Sequence, residues 1–165
     1  MEKDIKYYAV EFKMENSIKY YMLWFSGEYD RFLTKNGKLL IWGTYDELLT
    51  YAKENSIDTD ADVSYYDTAA INYDIDSCEN CRIILDMWNI LSDLAISVTK
   101  PFMGNEPCFN GIYAKLTAGC DLPALEKCKF TVSWSSSEIL EIKEVLNSGI
   151  NILLDTVSEN CGGVS

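Results

Sequence analysis

Residues 79–98 constrain the fold more than any other stretch, because their apolar residues follow a helical pattern that leaves little room for a polar face. The apolar positions are Ile83, Ile84, Met87, Trp88, Ile90, Leu91, Leu94 and Ala95. A helix that is apolar on nearly all sides is buried by other elements. We therefore predict a buried central helix here, ended by Lys100-Pro101, because proline disfavours helical backbone in the residue before it.

The first third of the chain predicts an antiparallel meander followed by one helix. Aromatic and β-branched residues, which strands favour, dominate four segments, at residues 5–13, 18–25, 29–33 and 38–42. Asn36-Gly37 lies between the last two segments and favours a type I′ hairpin, because both residues tolerate positive φ. Thr44 and Glu47 match a capping box, in which each side chain bonds the backbone N–H of the other residue. A helix should begin there and end near Asn55.

The C-terminal part predicts a strand, a helix and a second strand. Before this unit we expect a strand at residues 109–116 and a short helix at residues 121–127. The first strand of the unit covers residues 129–134. Ser135 and Glu138 match a second capping box. The helix that follows should end just before Gly149, which suits the left-handed position after a helix. Residues 150–157 would then form the last strand.

Together these elements predict an α+β fold. It would consist of an N-terminal antiparallel meander, a buried central helix and a C-terminal strand-helix-strand unit. A chain of 165 residues fits one domain with a substantial core. We expect a single α+β domain over residues 1–158 and a disordered tail over residues 159–165, which are small and polar.

Negative charge is concentrated in the middle of the chain. The 28 residues between Lys53 and Arg82 carry eight carboxylates and no basic side chain, and they hold −8 of the net charge of −12. Residues 1–53, by contrast, carry eight acidic and eight basic side chains. Because carboxylates weaken a strand prediction, we predict for residues 56–78 a long loop that contains one or two short strands, with residues 63–66 and 69–73 as the candidates. Loops of this length are usually functional or disordered.

Charge and composition argue against several classes of function. A net charge of −12 argues against direct binding of nucleic acid or of anionic membranes, both of which need a basic surface. The chain has no histidine, which excludes Ser-His-Asp and Cys-His catalysis. The sequence has no glycine pattern for dinucleotides or phosphates, so we expect no cofactor and no enzyme. The N-terminal residues hold no apolar run of signal-peptide length, and we expect a cytoplasmic protein.

Two motifs suggest metal or redox chemistry, and each lacks parts that the chemistry needs. Asp58-Thr59-Asp60-Ala61-Asp62 opens like a calcium loop, but Val63 and Ala69 stand where that loop needs glycine and a bidentate glutamate. We therefore expect no metal site. Cys78 and Cys81 form a C-x-x-C pair at a helix start, without thioredoxin-like surroundings or a second C-x-x-C for zinc. The open alternatives for them are free cysteines, a redox pair and a zinc site, in that order.

Tyrosines lie among the acids of the middle segment. Carboxylates pair with Arg and Lys, and tyrosine rings add cation–π contacts, so the segment suits a basic protein partner. The predicted partner-binding residues are Asp58, Asp60, Asp62, Tyr65, Tyr66, Asp67, Tyr73, Asp74, Asp76 and Glu79. For any one tyrosine, inward packing is the ordinary alternative.

Three features occur together in this chain: the aromatic opening meander, the step Trp42-Gly43-Thr44-Tyr45-Asp46-Glu47-Leu48-Leu49, and the closing step from Trp134-Ser135-Ser136-Ser137-Glu138 into Gly149-Ile150-Asn151-Ile152-Leu153-Leu154. On these features the chain resembles bacterial immunity proteins of polymorphic toxin systems, including those of contact-dependent growth inhibition. The resemblance implies a small cytoplasmic α+β protein that binds a cognate toxin and blocks it without catalysis. The charge favours a basic, nuclease-type toxin. The alternatives are a nucleic-acid mimic that inhibits a DNA- or RNA-binding enzyme, and an enzyme that uses a thiol or carboxylates.

Overall fold

The computed structural model describes residues 4–75, 78–120 and 133–161, without the side chains of Cys78 and Cys161. Helices and strands are both present, and the predicted α+β class is confirmed. The chain divides into two compact units. The first contains the described residues of Met1–Ala70, Ile96–Lys100 and Leu154–Ser165, and the second those of Ile71–Ala95 and Pro101–Leu153. The single domain over residues 1–158 stays a prediction.

A four-stranded sheet is the framework of the first unit. The strands of the described residues are β1 (Lys6–Lys13), β2 (Lys19–Ser26), β3 (Arg31–Phe32), β4 (Thr34–Lys35), β5 (Lys38–Leu39) and β6 (Thr59–Asp67). The order in the sheet is β3-β2-β1-β6. β2 pairs antiparallel with both β1 and β3, which confirms the N-terminal antiparallel meander, and β6 runs parallel to β1 on its other side.

The hairpin between β4 and β5 forms a separate two-stranded ladder. Its turn residues Asn36 and Gly37 have φ angles of 54° and 76°. Two successive positive φ angles are the signature of the type I′ turn, and Asn-Gly adopts them at low cost. The hairpin predicted from this dipeptide is therefore confirmed.

Helix α1 (Tyr45–Glu54) begins at the predicted capping box. Thr44 Oγ1 accepts a hydrogen bond from the Glu47 N–H at 3.2 Å, and Glu47 Oε2 accepts one from the Thr44 N–H at 3.1 Å. The helix ends with Asn55 as its cap, as predicted. Leu48 packs with Ala9 of β1 and Leu23 of β2 in a buried cluster, so the helix is held against one face of the sheet by apolar contact.

The acidic segment forms one long strand, where the sequence predicted a loop with one or two short strands. β6 covers Thr59–Asp67, and residues 69–73 form no strand. Carboxylates weaken strands mainly when pairing would bury them, but Asp60 and Asp62 stay exposed. Val63 lies beside Ala9 in the register and packs against the buried cluster. Apolar contact in the second half of the strand thus stabilises a segment whose first half is acidic.

Helix α2 (Cys78–Ser97) confirms the predicted burial. Ile84, Trp88, Leu91 and Leu94 are at most 1% exposed. The helix stops shortly before the Lys100-Pro101 pair, as proline requires of the residue before it. Seven of the eight apolar positions that predicted the helix are buried, and Ile83, in its first turns, is the exception at 48% exposed.

Two segments predicted as strands are helical. After α2, the described residues form the helices α3 (Asn110–Cys120) and α4 (Ser136–Cys161), preceded by two 3₁₀ turns at Met103–Asn105 and Pro107–Phe109. They cover the strands predicted at residues 109–116 and 150–157, so the predicted strand-helix-strand unit is wrong in its last strand. Of the other elements expected there, the helix at 121–127 and residues 129–132 of the first strand lie outside the described residues. Ile142, Val145, Leu146 and Leu153 are buried at helical spacing, and this period continues across Gly149.

Gly149 is a packing residue inside α4 and does not end the helix. A Cβ atom at Gly149 would lie 2.8 Å from Leu91 Cβ and 2.9 Å from Phe102 Cε2. Contacts this close do not occur for a real Cβ, so any larger residue would push these neighbours away. The close approach of backbone to side chains explains a glycine in the middle of a helix.

The predicted tail begins too early. α4 continues through Glu159 and Asn160, and Lys100 Nζ lies 3.1 Å from Glu159 Oε1. Asn160 also donates a hydrogen bond from its side-chain amide to the Leu39 carbonyl. The tail prediction is wrong for residues 159–161, and residues 162–165 lie outside the described residues.

Replacement of Gly149 by alanine should lower the free energy of unfolding by about 1–3 kcal/mol, the usual cost of overpacking a filled core. This cost should exceed the gain of up to ~1 kcal/mol that alanine brings to a helix interior. Gly111 of α3 is the matched control, because a Cβ there meets nothing within 4 Å. Gly111→Ala should leave stability unchanged or raise it. Urea unfolding of both variants measures this, and equal effects at the two sites would contradict the close approach.

Candidate protein-binding surface

The strand β6 forms one edge of the sheet, and its first half carries exposed carboxylates. Among the described strands β6 pairs only with β1. Asp58 precedes β6, Asp60 and Asp62 lie within it, and all three side chains are exposed. No basic residue within 4–75, 78–120 or 133–161 forms an ion pair with any of them. Three negative charges on this edge therefore face solvent without a counter-charge in the described chain.

A bulge at the edge of the sheet positions these carboxylates. Thr59 and Val63 pair with residues of β1 that are only two apart, so β6 carries two extra residues between them. Asp60 Oδ1 accepts a hydrogen bond from the Asp62 N–H at 2.9 Å, which holds the bend. A bulge disrupts the ladder locally and turns the side chains of the strand. The acidic half of β6 is thus separated from its regular half.

The carboxylate of Asp67, at the other end of β6, is bound by other residues of the fold. It lies 3.3 Å from Lys13 Nζ and accepts hydrogen bonds from the N–H groups of Ala69 at 3.1 Å and Ala70 at 3.2 Å. Burial raises the pKa of Asp67, but the Ala69 N–H, the Lys13 ammonium and the Ala70 N–H outweigh it and lower the pKa below its usual value. The structure therefore gives Asp67 a turn-forming role, with its charge already compensated by Lys13.

The two tyrosines of β6 differ in environment. Tyr65 is 70% exposed, whereas the ring of Tyr66 packs against that of Phe12 with 5.5 Å between centroids. Tyr66 thus follows the packing alternative, whereas the ring of Tyr65 is largely exposed to solvent. We refer to Asp58, Asp60, Asp62 and Tyr65 together as the β6 acidic surface.

The remaining predicted residues belong to the second unit or lie outside the described chain. Tyr73 is half-buried, with Lys143 Nζ 5.1 Å from its ring centroid, and burial raises the pKa of Tyr73. Asp74 is exposed, and Glu79 is exposed in the first turn of α2, where a negative charge stabilises the helix dipole. Asp76 lies outside the described residues. The ten predicted residues therefore do not all fall on one unit.

A buried carboxylate on β1 was missed by sequence reasoning. Glu11 is 6% exposed, and it accepts a hydrogen bond from the Tyr21 hydroxyl at 2.8 Å and lies 3.4 Å from Lys19 Nζ. The hydrogen bond to Glu11, then burial, then the charge of Glu11 raise the pKa of Tyr21 to about 12. Tyr65 pairs with Glu11 in the register of β6. The available signal was a single acid among the apolar residues of the strand predicted at residues 5–13.

The thiol and metal motifs gain no site from the structure. Cys81 is buried, and its Sγ lies 3.4 Å from the Ile75 carbonyl oxygen, to which it donates a hydrogen bond. The side chain of Cys78 lies outside the described residues, so the C-x-x-C pair cannot be assembled geometrically. Across the described part of the chain, no three Cys, Asp or Glu side chains come close enough together to hold a metal ion. Asp58, Asp60 and Asp62 are among the side chains that form no such group.

Comparisons with known proteins do not identify the class of this protein. Searches against protein-family models, curated proteins and solved structures find no match for this chain. Within the described residues, the helices include none whose length and apolar character would let it cross a membrane. Inference about function therefore rests on the β6 acidic surface and its surroundings.

Replacement of Asp67 by asparagine should lower the free energy of unfolding by about 1 kcal/mol at neutral pH, a value kept small by solvent screening. Because the pKa of Asp67 is lowered in the fold, its contribution is present above the usual aspartate pKa and is lost as the pH falls through the folded pKa. The difference from wild type should therefore shrink in acid. Asp58→Asn is the control and should change little. Urea unfolding at neutral and acidic pH tests this, and an unaffected Asp67→Asn would refute the turn-forming role.

Replacement of Tyr21 by phenylalanine should cost about 1–3 kcal/mol at neutral pH, because it removes a hydrogen bond to a buried charge. Tyr21 has its pKa raised from 10.0 to about 12, so the neutral hydroxyl stabilises the fold fully below pH 10 and loses this effect as the pH rises through 12. The stability difference between the two proteins should therefore disappear over that window. Thermal unfolding as a function of pH measures it, and a constant difference would contradict the pairing with Glu11.

Proposed function

We propose that this chain is a non-enzymatic binding protein that neutralises a basic protein partner, as an immunity protein blocks its cognate toxin. The observation that carries the proposal is the β6 acidic surface. It joins three exposed carboxylates and one exposed tyrosine on an edge strand, and the described chain supplies no basic residue to neutralise them. Residues 54–81 around it hold −8 of the net charge of −12, so the partner should carry positive charge.

Charge gathered in this way has a cost that a partner would offset. Like charges close together destabilise a folded protein through self-repulsion, and the same field attracts a basic partner and speeds its association. Protection of a sheet edge against aggregation is a second use of edge carboxylates. Protection accounts for Asp60 and Asp62 but not for Tyr65, whose large ring is 70% exposed. The combination of acid and exposed aromatic ring supports the partner.

Neutralisation by this surface requires occlusion alone. A nuclease-type toxin holds nucleic-acid phosphates with Lys and Arg side chains. Asp58, Asp60 and Asp62 would pair with those side chains, and Tyr65 would pack against an Arg plane or an apolar neighbour. The toxin would then lack the surface on which its substrate binds. Asp67 and Tyr66 would support the strand from within the fold and make no contact with the partner.

The first test is capture of the partner and its effect on growth. The purified chain, immobilised, should retain one basic protein from a lysate of its source organism. Expression of that protein in a bacterial host should arrest growth, and co-expression of this chain should restore it. Recovery of an acidic partner, or growth arrest that co-expression leaves unchanged, would contradict the proposal.

Replacement of all three aspartates, Asp58→Asn, Asp60→Asn and Asp62→Asn, should weaken binding of the captured protein by about 10- to 100-fold. The association rate of the wild type should also fall as salt rises. The matched control carries the same change of net charge on exposed residues elsewhere in the first unit, as Glu15→Gln, Glu28→Gln and Asp30→Asn. Surface plasmon resonance measures both variants. Equal losses in the two would mean that overall charge, and not this surface, determines binding.

A further inference from the structure

The two halves of β6 differ in charge and in regularity. The first half contains the bulge, with Asp60 and Asp62 exposed. In the second half the register with β1 is continuous from Val63 to Asp67, paired with Ala9 to Lys13. The four residues before Asp67 are uncharged and read Val63, Ser64, Tyr65 and Tyr66. A regular, uncharged edge thus begins directly after the acidic bulge.

Edge strands of this kind are templates for another strand, because their outer N–H and C=O groups lack strand partners. Natural proteins usually cover such edges or place charges along them. In the part of the chain that the structure describes, the backbone hydrogen bonds of the β6 ladder go to β1, and Ser64 and Tyr65 are exposed. The acids lie along the bulge, and among the described strands none pairs with the outer side of this second half.

We propose that the outer edge of residues 63–67 accepts an extended segment of the basic partner as an added strand, with Lys or Arg side chains of that segment against Asp60 and Asp62. This inference rests on the proposed function and adds its mode of binding. Main-chain hydrogen bonds would supply affinity, and side chains at alternate positions would supply specificity. An apolar or aromatic residue opposite Tyr65 would pack on its exposed ring, as cross-strand neighbours do.

Charge favours a basic segment over a second copy of this chain as the occupant of the edge. Two copies would each bring a net charge of −12, and pairing of two β6 strands would bring two acidic bulges into one small sheet. Like charges in neighbouring strand positions destabilise pairing. A basic segment meets the opposite situation, because its cations lie against carboxylates that no described residue neutralises.

The test uses short random peptides displayed on yeast and selected for binding to the purified full-length chain. Selected peptides should alternate β-branched or aromatic residues with polar ones and carry Lys or Arg toward one end. Hydrogen exchange of the complex, read residue by residue by NMR, should then slow at least tenfold at alternate amides of residues 63–67. Failure to select any peptide, or protection confined to other residues, would overturn the proposal.

Proline substitutions separate the edge from the body of the sheet. Successive residues of a strand direct their backbone groups to opposite sides, so one of Ser64→Pro and Tyr65→Pro removes an outward N–H and the other an N–H bonded to β1. The variant that retains wild-type stability identifies the outward position, and it should lose peptide binding at least tenfold. Unchanged binding by that variant would overturn strand addition. If both variants unfold, amide protection in the wild type still decides.

The acid and edge variants together distinguish the two proposals. Loss of binding to the captured partner in the triple aspartate variant, with full binding in the stable proline variant, would leave the proposed function standing and overturn strand addition. Full binding in both would overturn both. Light scattering of the wild-type chain adds one further outcome, because a dimer whose exchange protection falls on residues 63–67 would identify a second copy as the occupant and overturn the basic segment.

Discussion

The position of β1 between two neighbours is the constraint on which the first unit depends. Ala9 on one face of β1, and Val10 and Phe12 on the other, are at most 1% exposed, so a shift of one residue would exchange the side chains that the two faces bury. β1 pairs antiparallel with β2 on one side and parallel with β6 on the other. The register that apolar burial imposes on β1 is thereby passed to β6. The exposed position of Tyr65, which pairs with Glu11 in this register, is thus a consequence of packing elsewhere in the sheet.

The features that the sequence predicted well are those whose cause is local. A capping box needs only a few neighbouring residues, so α1 was found with its ends. An Asn-Gly turn needs two, so the turn of the β4–β5 hairpin was found, although its strands are shorter than the segments predicted at 29–33 and 38–42. The burial of α2 was also predictable, because its apolar period leaves no other stable arrangement. The acidic segment was identified as a unit of charge, and Asp58, Asp60, Asp62 and Tyr65 within it are exposed; their binding of a partner stays a prediction.

The features that were missed depend on contacts between distant residues. Glycine often follows the end of a helix, but the close approach of Leu91 and Phe102 makes Gly149 a packing residue inside α4. β6 is a strand because Val63 meets the cluster built on Ala9, Leu23 and Leu48, which local propensity does not contain. Glu11 reads as a surface acid until Tyr21 and Lys19 enclose it. Asp67 was grouped with the partner-binding acids, yet Lys13 on β1, 54 positions earlier, compensates its charge.

The bulge in β6 has a consequence for how partner selectivity can change. Thr59 and Val63 pair with β1 residues that are two apart, so a deletion of two residues between them would leave a continuous ladder with the same faces inward and outward. The ladder between β1 and β6 therefore does not need the two extra residues of the bulge, where Asp60 and Asp62 lie. Their number and charge can vary without disturbing the register of residues 63–67 or the core beneath it. Recognition and folding are in this way encoded in adjacent but separable parts of one strand, and a change of partner needs no change of fold.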